Sequence, residues 1–284
     1  MARNTLLLGA VAYDPKVVTI WEGFREFFGA HDLDFDVVMF TNYERQVEAH
    51  LQGAIDVGWN SPLAWLQLER AAKLRGRTAS AVVMRDTDRD LTSLVLVREG
   101  GGIDTVQALR GKIVAVGAGD SPQATLIPLS WLRDQGLEPG RDFEVRRFDV
   151  LVGKHGDHIG GERDAARALQ AGEVAAACVI DGNHLLFARE GVLPPGSSKV
   201  LAQTPPYDHC NFSVLDDYAK RPELARFVEI LLAMSYADAK VRPLMDLEGL
   251  KQWLPGRTSG YAQLERAIDA FGTIDAFVAS AGKP

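Results

Sequence analysis

The chain has 284 residues, 46% hydrophobic and 24% charged, which is the profile of a globular protein long enough for two domains. Its formal net charge of −7, with lysines and arginines scattered rather than clustered, excludes nucleic acid as the expected partner. No apolar run approaches the roughly 20 residues of a membrane-spanning helix, so no membrane span is expected.

The predicted elements run as follows. Residues 6–11 form a first core strand, and Pro15 opens a helix to Phe28 whose Ile20, Trp21, Phe24, Phe27 and Phe28 fall at helical spacing. Residues 35–40 are a second strand, Asn42 starts a second helix ending near Gly53, and residues 55–59 are a third strand. Asn60-Ser61-Pro62 is a cap-and-proline start for a helix through Leu74, and residues 79–84 are a fourth strand. This alternation implies a largely parallel sheet, in which ligands bind beyond the carboxyl ends of strands. Tyr13, Asn60 and Ser61 follow strands and precede helices, so they are binding candidates on position alone.

Residues 91–97 are a strand, and 103–110 a short helix with Asp104 as its expected cap. Ile113 to Val116 reads as a two-sided buried strand. Gly117 to Gly119 forms a turn, Asp120 or Ser121 caps, and Pro122 opens a helix to Gln135 that Gly136 ends. Such a helix start presents free N–H groups and the positive end of the dipole, with the Ser121 and Thr125 hydroxyls at the same place, which makes it an anion site. Strands are expected at 143–148, 175–180, 200–204 and 210–214, and helices at 162–171, 222–236 and 260–271. No internal repeat or low-complexity tract is present.

Several side chains carry chemistry. His155, Asp157 and His158 share a glycine-flanked loop; His155 and His158 with the Asp157 carboxylate are the candidates for binding zinc or iron, with His184 or His209 to complete a site, and the alternative for His158 is a hydrogen bond to ligand. No metal or cofactor is otherwise called for. Asp181 follows a strand end and either meets a ligand amine or hydroxyl or caps the next helix. Tyr207 is placed to stack on a ligand. Arg163 either pairs with an anionic ligand or faces solvent, and Trp59 and Trp65 read as packing. Cys178 and Cys210 are expected as buried free thiols. A Cys210–His209 pair is not expected, because neighbours along a strand point to opposite faces.

The order of segments resembles the phosphonate-binding branch of the solute-binding proteins of ABC transporters, which have the type 2 periplasmic-binding-protein fold. The residues that carry the resemblance are Gly53 to Trp65, Ser93 to Val97 followed by Gly102-Ile103 and Leu109 to Ala115, Gly161 to Ala177, and Gln203-Thr204-Pro205-Pro206. The resemblance implies an α/β fold of two lobes, each a mostly parallel sheet flanked by helices and joined by two crossing strands, with residues 1–91 and 207–284 in lobe 1 and 92–206 in lobe 2. It implies a small, anionic or polar ligand held in the cleft by hinge closure, with the anion at Ser121, Gln123, Ala124 and Thr125. The family's Ser-Thr-Ser-Gly helix start is Ser121-Pro122-Gln123-Ala124 here, and its Ser-His pair is Glu162-Arg163.

Three functions follow. The first is a transport component with a small-molecule ligand and an ABC permease as partner. The second is an enzyme on the same fold, resembling a decarboxylase or a pyrimidine-precursor synthase, with metal dependence as one form of it. The third is a ligand sensor. The expected compartment is the cytoplasm for the sequence as it stands and the periplasm if a leader was removed.

Overall fold

The computed structural model describes residues 5–155 and 160–283. The elements of the chain are β1 (Leu6–Val11), α1 (Lys16–Gly29), β2 (Phe35–Phe40), α2 (Tyr43–Leu51), β3 (Val57–Asn60), α3 (Pro62–Leu74), β4 (Ala79–Arg85), β5 (Ser93–Arg98), β6 (Ile113–Val116), α4 (Ile127–Asp134) and β7 (Glu144–Arg147). They continue with α5 (Gly160–Ala171), β8 (Ala176–Ile180), α6 (Asp181–Arg189), β9 (Ser198–Gln203), β10 (Asn211–Leu215), α7 (Pro222–Ala233), α8 (Arg242–Glu248), β11 (Trp253–Pro255), α9 (Ala262–Phe271) and α10 (Asp275–Ala281). No helix among the described residues is long and apolar enough to cross a membrane.

The chain divides into two compact units. The first comprises the described residues within Met1–Arg89, Asp208–Tyr261 and Ile274–Pro284; the second comprises Asp90–Tyr207 and Ala262–Thr273. Residues 262–273, which the sequence reading puts in lobe 1, pack with the second unit, where α9 lies against α4.

The first unit holds a six-stranded sheet of order β11-β4-β10-β3-β1-β2. β1 pairs in parallel with both β2 and β3. β10 enters from far along the chain and lies antiparallel between β3 and β4, so these two run the same way without touching. The apolar stripe of α1 is the reason this helix docks: Trp21, Phe24 and Phe28 meet Trp59, Phe212, Phe227 and Trp253 in one aromatic core. Burying each such side chain contributes about 2–3 kcal/mol.

The second unit holds a five-stranded sheet of order β7-β6-β8-β5-β9. β6 is parallel to β7 and β8, whereas β5 is antiparallel to β8 and β9. Two apolar clusters cover its faces, one beneath α5 and α6, the other beneath α4 and α9. The chain enters and leaves this unit side by side, with Leu91 and Tyr207 exchanging both backbone hydrogen bonds at 2.9 and 2.8 Å. The helix expected at 103–110 is a single 3-10 turn, Val106–Leu109. Its cap position is Thr105, and the Asp104 carboxylate binds the Lys199 ammonium at 2.5 Å instead.

Candidate functional site

In the second unit the parallel pairing of β6 with β8 brings their carboxyl ends together. The turn after β6 and Asp181 after β8 therefore share one edge of the sheet, the position at which parallel sheets take ligands. Ser121 is the N-cap, its Oγ accepting from Ala124 N at 3.2 Å, and Pro122 follows at the first helical position. Asp120, the other cap candidate, accepts from Gly153 N at 2.6 Å. The expected helix begins as a π turn, Pro122–Leu126, before α4 continues it. A π turn widens the backbone spiral, and such turns concentrate at functional sites.

Pro122, Gln123, Ala124, Thr125 and Leu126 are all buried. The Thr125 hydroxyl is buried with no hydrogen-bond partner among the described residues. An orphaned buried hydroxyl costs about 1–3 kcal/mol, a cost that a ligand oxygen reaching Thr125 would remove. One cation stands near: β7 pairs Arg147 with Val116, which carries the Arg147 side chain to the glycine turn at Gly119.

Behind the turn is a chain of buried polar groups. Ser93 Oγ donates to the Gln123 carbonyl at 2.5 Å and lies 2.9 Å from the Tyr207 hydroxyl. Burial pushes the Tyr207 phenol well above its ordinary pKa. Gln123 Nε2 donates to Glu162 Oε1 at 3.3 Å, and Glu162 Oε2 accepts from Ile180 N at 2.8 Å and Asn183 Nδ2 at 3.0 Å. Asp181 accepts from the Thr92 hydroxyl at 2.8 Å and opens α6. Thr92 and Ser93 are consecutive, so Asp181, Tyr207 and the residues 121–125 are tied to one another through the start of β5.

Sequence reasoning missed Ser93, Glu162 and Arg147 as parts of this site. Ser93 opens the Ser-Leu-Val-Leu-Val run that carried the resemblance, and Arg147 ends the strand beside β6; those were the available signals. Arg163 forms a bidentate pair with Glu190, at 2.9 and 3.1 Å, and its guanidinium lies over the Phe187 ring. His155 is buried with a positive φ of 51° and belongs to no three-ligand group among the described residues. His158 and Asp157 lie outside the described residues.

The first-unit candidates are placed as follows. Ser61 caps α3, its Oγ accepting from Ala64 N at 3.1 Å. Asn60 is buried in an internal network: its Oδ1 accepts from Gln46 Nε2 at 2.7 Å, and its Nδ2 donates to Ser213 Oγ at 3.0 Å. Ser213 in turn donates to Asn211 Oδ1 at 2.6 Å, and Asn211 Nδ2 donates to the Tyr261 hydroxyl at 2.8 Å. Tyr13 is half-buried against the aromatic core.

A contact not expected from sequence lies nearby. His209 Nδ1 is 3.1 Å from Cys210 Sγ. The alternation argument fails because β10 begins only at Asn211, so residues 209 and 210 are not held in a ladder. Both cysteines are buried, with no disulfide among the described residues, and burial raises the Cys178 thiol to about 12.

The family model described as "ABC transporter, phosphonate, periplasmic substrate-binding protein" matches residues 11–261. Among solved structures, the chain is similar to PhnD1 from Prochlorococcus marinus in complex with methylphosphonate, with 15% identity, a TM-score of 0.71, and coverage of 95% of this chain and 99% of that one. It is also similar to XAC2383 from Xanthomonas citri bound to ATP, with 16% identity, a TM-score of 0.69, and coverage of 97% and 100%. The periplasmic aliphatic sulphonate binding protein SsuA from Escherichia coli follows with 19% identity, a TM-score of 0.62, and coverage of 97% and 89%. At these identities the likenesses establish the two-lobed α/β fold of type 2 periplasmic binding proteins.

Proposed function

The chain belongs to the family of periplasmic substrate-binding proteins of phosphonate ABC transporters, and on that premise we propose that the buried helix start at 121–125 holds the oxyanion of its ligand. Of the three functions the sequence left open, the family match selects the substrate-binding component. The observation that carries the location is the Thr125 hydroxyl, which is buried with no partner among the described residues in the turn that opens a helix.

A phosphonate head presents three oxygens that accept hydrogen bonds. The Thr125 hydroxyl donates to one. Ser121 Oγ already accepts from Ala124 N, so its own proton is available to a second. The helix dipole adds a fixed positive potential, and Arg147 supplies a full charge at the glycine turn. Gln123 and Ala124 shape the turn, and Tyr207 acts beneath it through Ser93. Asp181, on the same sheet edge, takes an amine or hydroxyl on the ligand's tail. The family description supports a periplasmic location and delivery of the ligand to an ABC permease.

Calorimetry with methylphosphonate, inorganic phosphate and ethanesulfonate as probes tests this reading. Methylphosphonate is expected to bind the wild type, and Thr125→Val is expected to weaken it about 5- to 30-fold, the equivalent of 1–2 kcal/mol for one lost hydrogen bond to a charged group. Equal affinity in the two proteins would count against the site. Binding of none of the three probes would count against the ligand class.

A further inference from the structure

Outside the proposed ligand site, the first unit gathers three metal-ligating side chains of different type. Asp88 ends the 3-10 turn that follows β4, and His209 and Cys210 immediately precede β10. β4 and β10 are neighbours in the sheet, so their ends meet. His209 N donates to the Asp88 carbonyl at 2.8 Å, and Cys210 N donates to Asp88 Oδ1 at 3.2 Å. The Tyr261 hydroxyl fixes the same backbone by donating to the His209 carbonyl at 2.7 Å.

The geometry points to a site for a thiophilic divalent cation of the zinc class, bound by Asp88 Oδ1, His209 Nδ1 and Cys210 Sγ. Ligand atoms of all three residues lie within 4.8 Å of one another. His209 Nδ1 is 3.1 Å from Cys210 Sγ and 3.5 Å from Asp88 Oδ1. Around a tetrahedral zinc with bonds of about 2.3 Å to sulfur and about 2.0 Å to nitrogen and oxygen, those edges are roughly 3.6 and 3.3 Å. The two edges at His209 therefore need adjustments of only a few tenths of an ångström, and the third, between Asp88 and Cys210, closes within the same 4.8 Å.

The surroundings suit the charge. Arg85 grips the Asp88 carboxylate with Nε at 2.6 Å and Nη2 at 2.8 Å, an outer contact of the kind that orients a metal-binding carboxylate. Its Nη1 pairs with Glu248 at 3.2 Å. When the thiol proton leaves to solvent on binding, the Asp88 carboxylate and the Cys210 thiolate together carry the two negative charges that one divalent cation matches. Imidazole, thiolate and carboxylate together select zinc over calcium or magnesium, which take oxygen ligands alone. Asp88 and Cys210 are buried, and the side chain of His209 is 11% exposed.

Titration of the reduced, full-length protein with cobalt(II) alone tests the assignment. The expected result is one equivalent bound, with a thiolate-to-cobalt charge-transfer band and the intense visible bands of four-coordinate cobalt, both abolished by zinc. Cys210→Ser is expected to lose the charge-transfer band, and Cys178→Ala to keep it. Should Cys210→Ser fail to give the wild-type circular dichroism spectrum, His209→Gln is read instead and is expected to lose the four-coordinate visible bands. No charge-transfer band in the wild type, a band that survives in Cys210→Ser, or one lost in a folded Cys178→Ala would overturn the assignment.

Discussion

Ser93 Oγ has one proton, and it goes to the Gln123 carbonyl at 2.5 Å, so the Tyr207 hydroxyl 2.9 Å away must donate to Ser93 rather than accept from it. The direction matters because it links the last residue of the second unit's main segment to the turn that holds the proposed oxyanion site. Tyr207→Phe removes the donor and leaves the buried Ser93 oxygen one hydrogen bond short. It is expected to lower stability by about 1 kcal/mol, read as a lower urea midpoint at unchanged slope.

Thr125 and Ser121 are expected to separate stability from binding. Thr125→Val replaces an orphaned hydroxyl by a methyl of similar volume, so the ligand-free protein should be as stable as the wild type or slightly more so. Ser121→Ala removes a cap and should cost about 1 kcal/mol without ligand. Thermal denaturation of both variants with no ligand present distinguishes them. Equal destabilisation by the two would mean that the Thr125 hydroxyl serves the fold.

Gly161, in the first turn of α5, approaches the glycine turn so closely that a Cβ there would lie 2.5 Å from the Phe148 carbonyl oxygen and 3.4 Å from Ala118 N. Backbone cannot rotate away as a side-chain tip can. Gly161→Ala is expected to destabilise by about 1–3 kcal/mol and to weaken ligand binding, since the turn it displaces carries Ser121. Denaturation midpoints and calorimetry on the same preparation check both effects.

His50, buried on the inner face of α2, sets an acid limit. Burial is the main cause that lowers its pKa from 6.5 to about 4. The unfolded chain takes up the proton first as pH falls, so the stability that neutral His50 contributes is intact above 6.5 and is lost progressively from 6.5 down to about 4. The loss reaches about 3 kcal/mol at full extent. His50→Gln should flatten urea midpoints over that window; an unchanged pH profile would rule His50 out as the titrating group.

Local chemistry was legible in the sequence wherever one element decided it. The bounds of β1 and β2 match the apolar runs at 6–11 and 35–40. Asn42 and Ser61 cap their helices through their own side chains, and Gly136 takes the positive φ of 81° that ends a helix. What depended on distant partners was not legible. Nothing near residues 211–215 says that β10 will lie between β3 and β4, and Trp253–Pro255 is too short to read as β11. The sequence reading sets no bounds for a helix after Asp181, where glycine and asparagine disfavour one, yet α6 begins at Asp181 itself.

The site divides along the same line. Ser121 and Thr125 followed from the strand-turn-helix pattern, whereas Glu162 and Ser93 join them only through tertiary contacts spanning 39 and 30 residues. Asn60 illustrates the opposite case: a polar residue at a strand end looked available to ligand, and its amide is occupied by Gln46 and Ser213. The pairing of His209 with Cys210 was set aside because strand alternation was applied to residues that precede the strand.

A crystal structure of the protein with a short alkylphosphonate is the most direct measurement. Phosphonate oxygens are expected within hydrogen-bonding distance of the Ser121 and Thr125 hydroxyls, at the start of the turn that precedes α4. Density for the ligand with neither hydroxyl in contact would contradict that expectation.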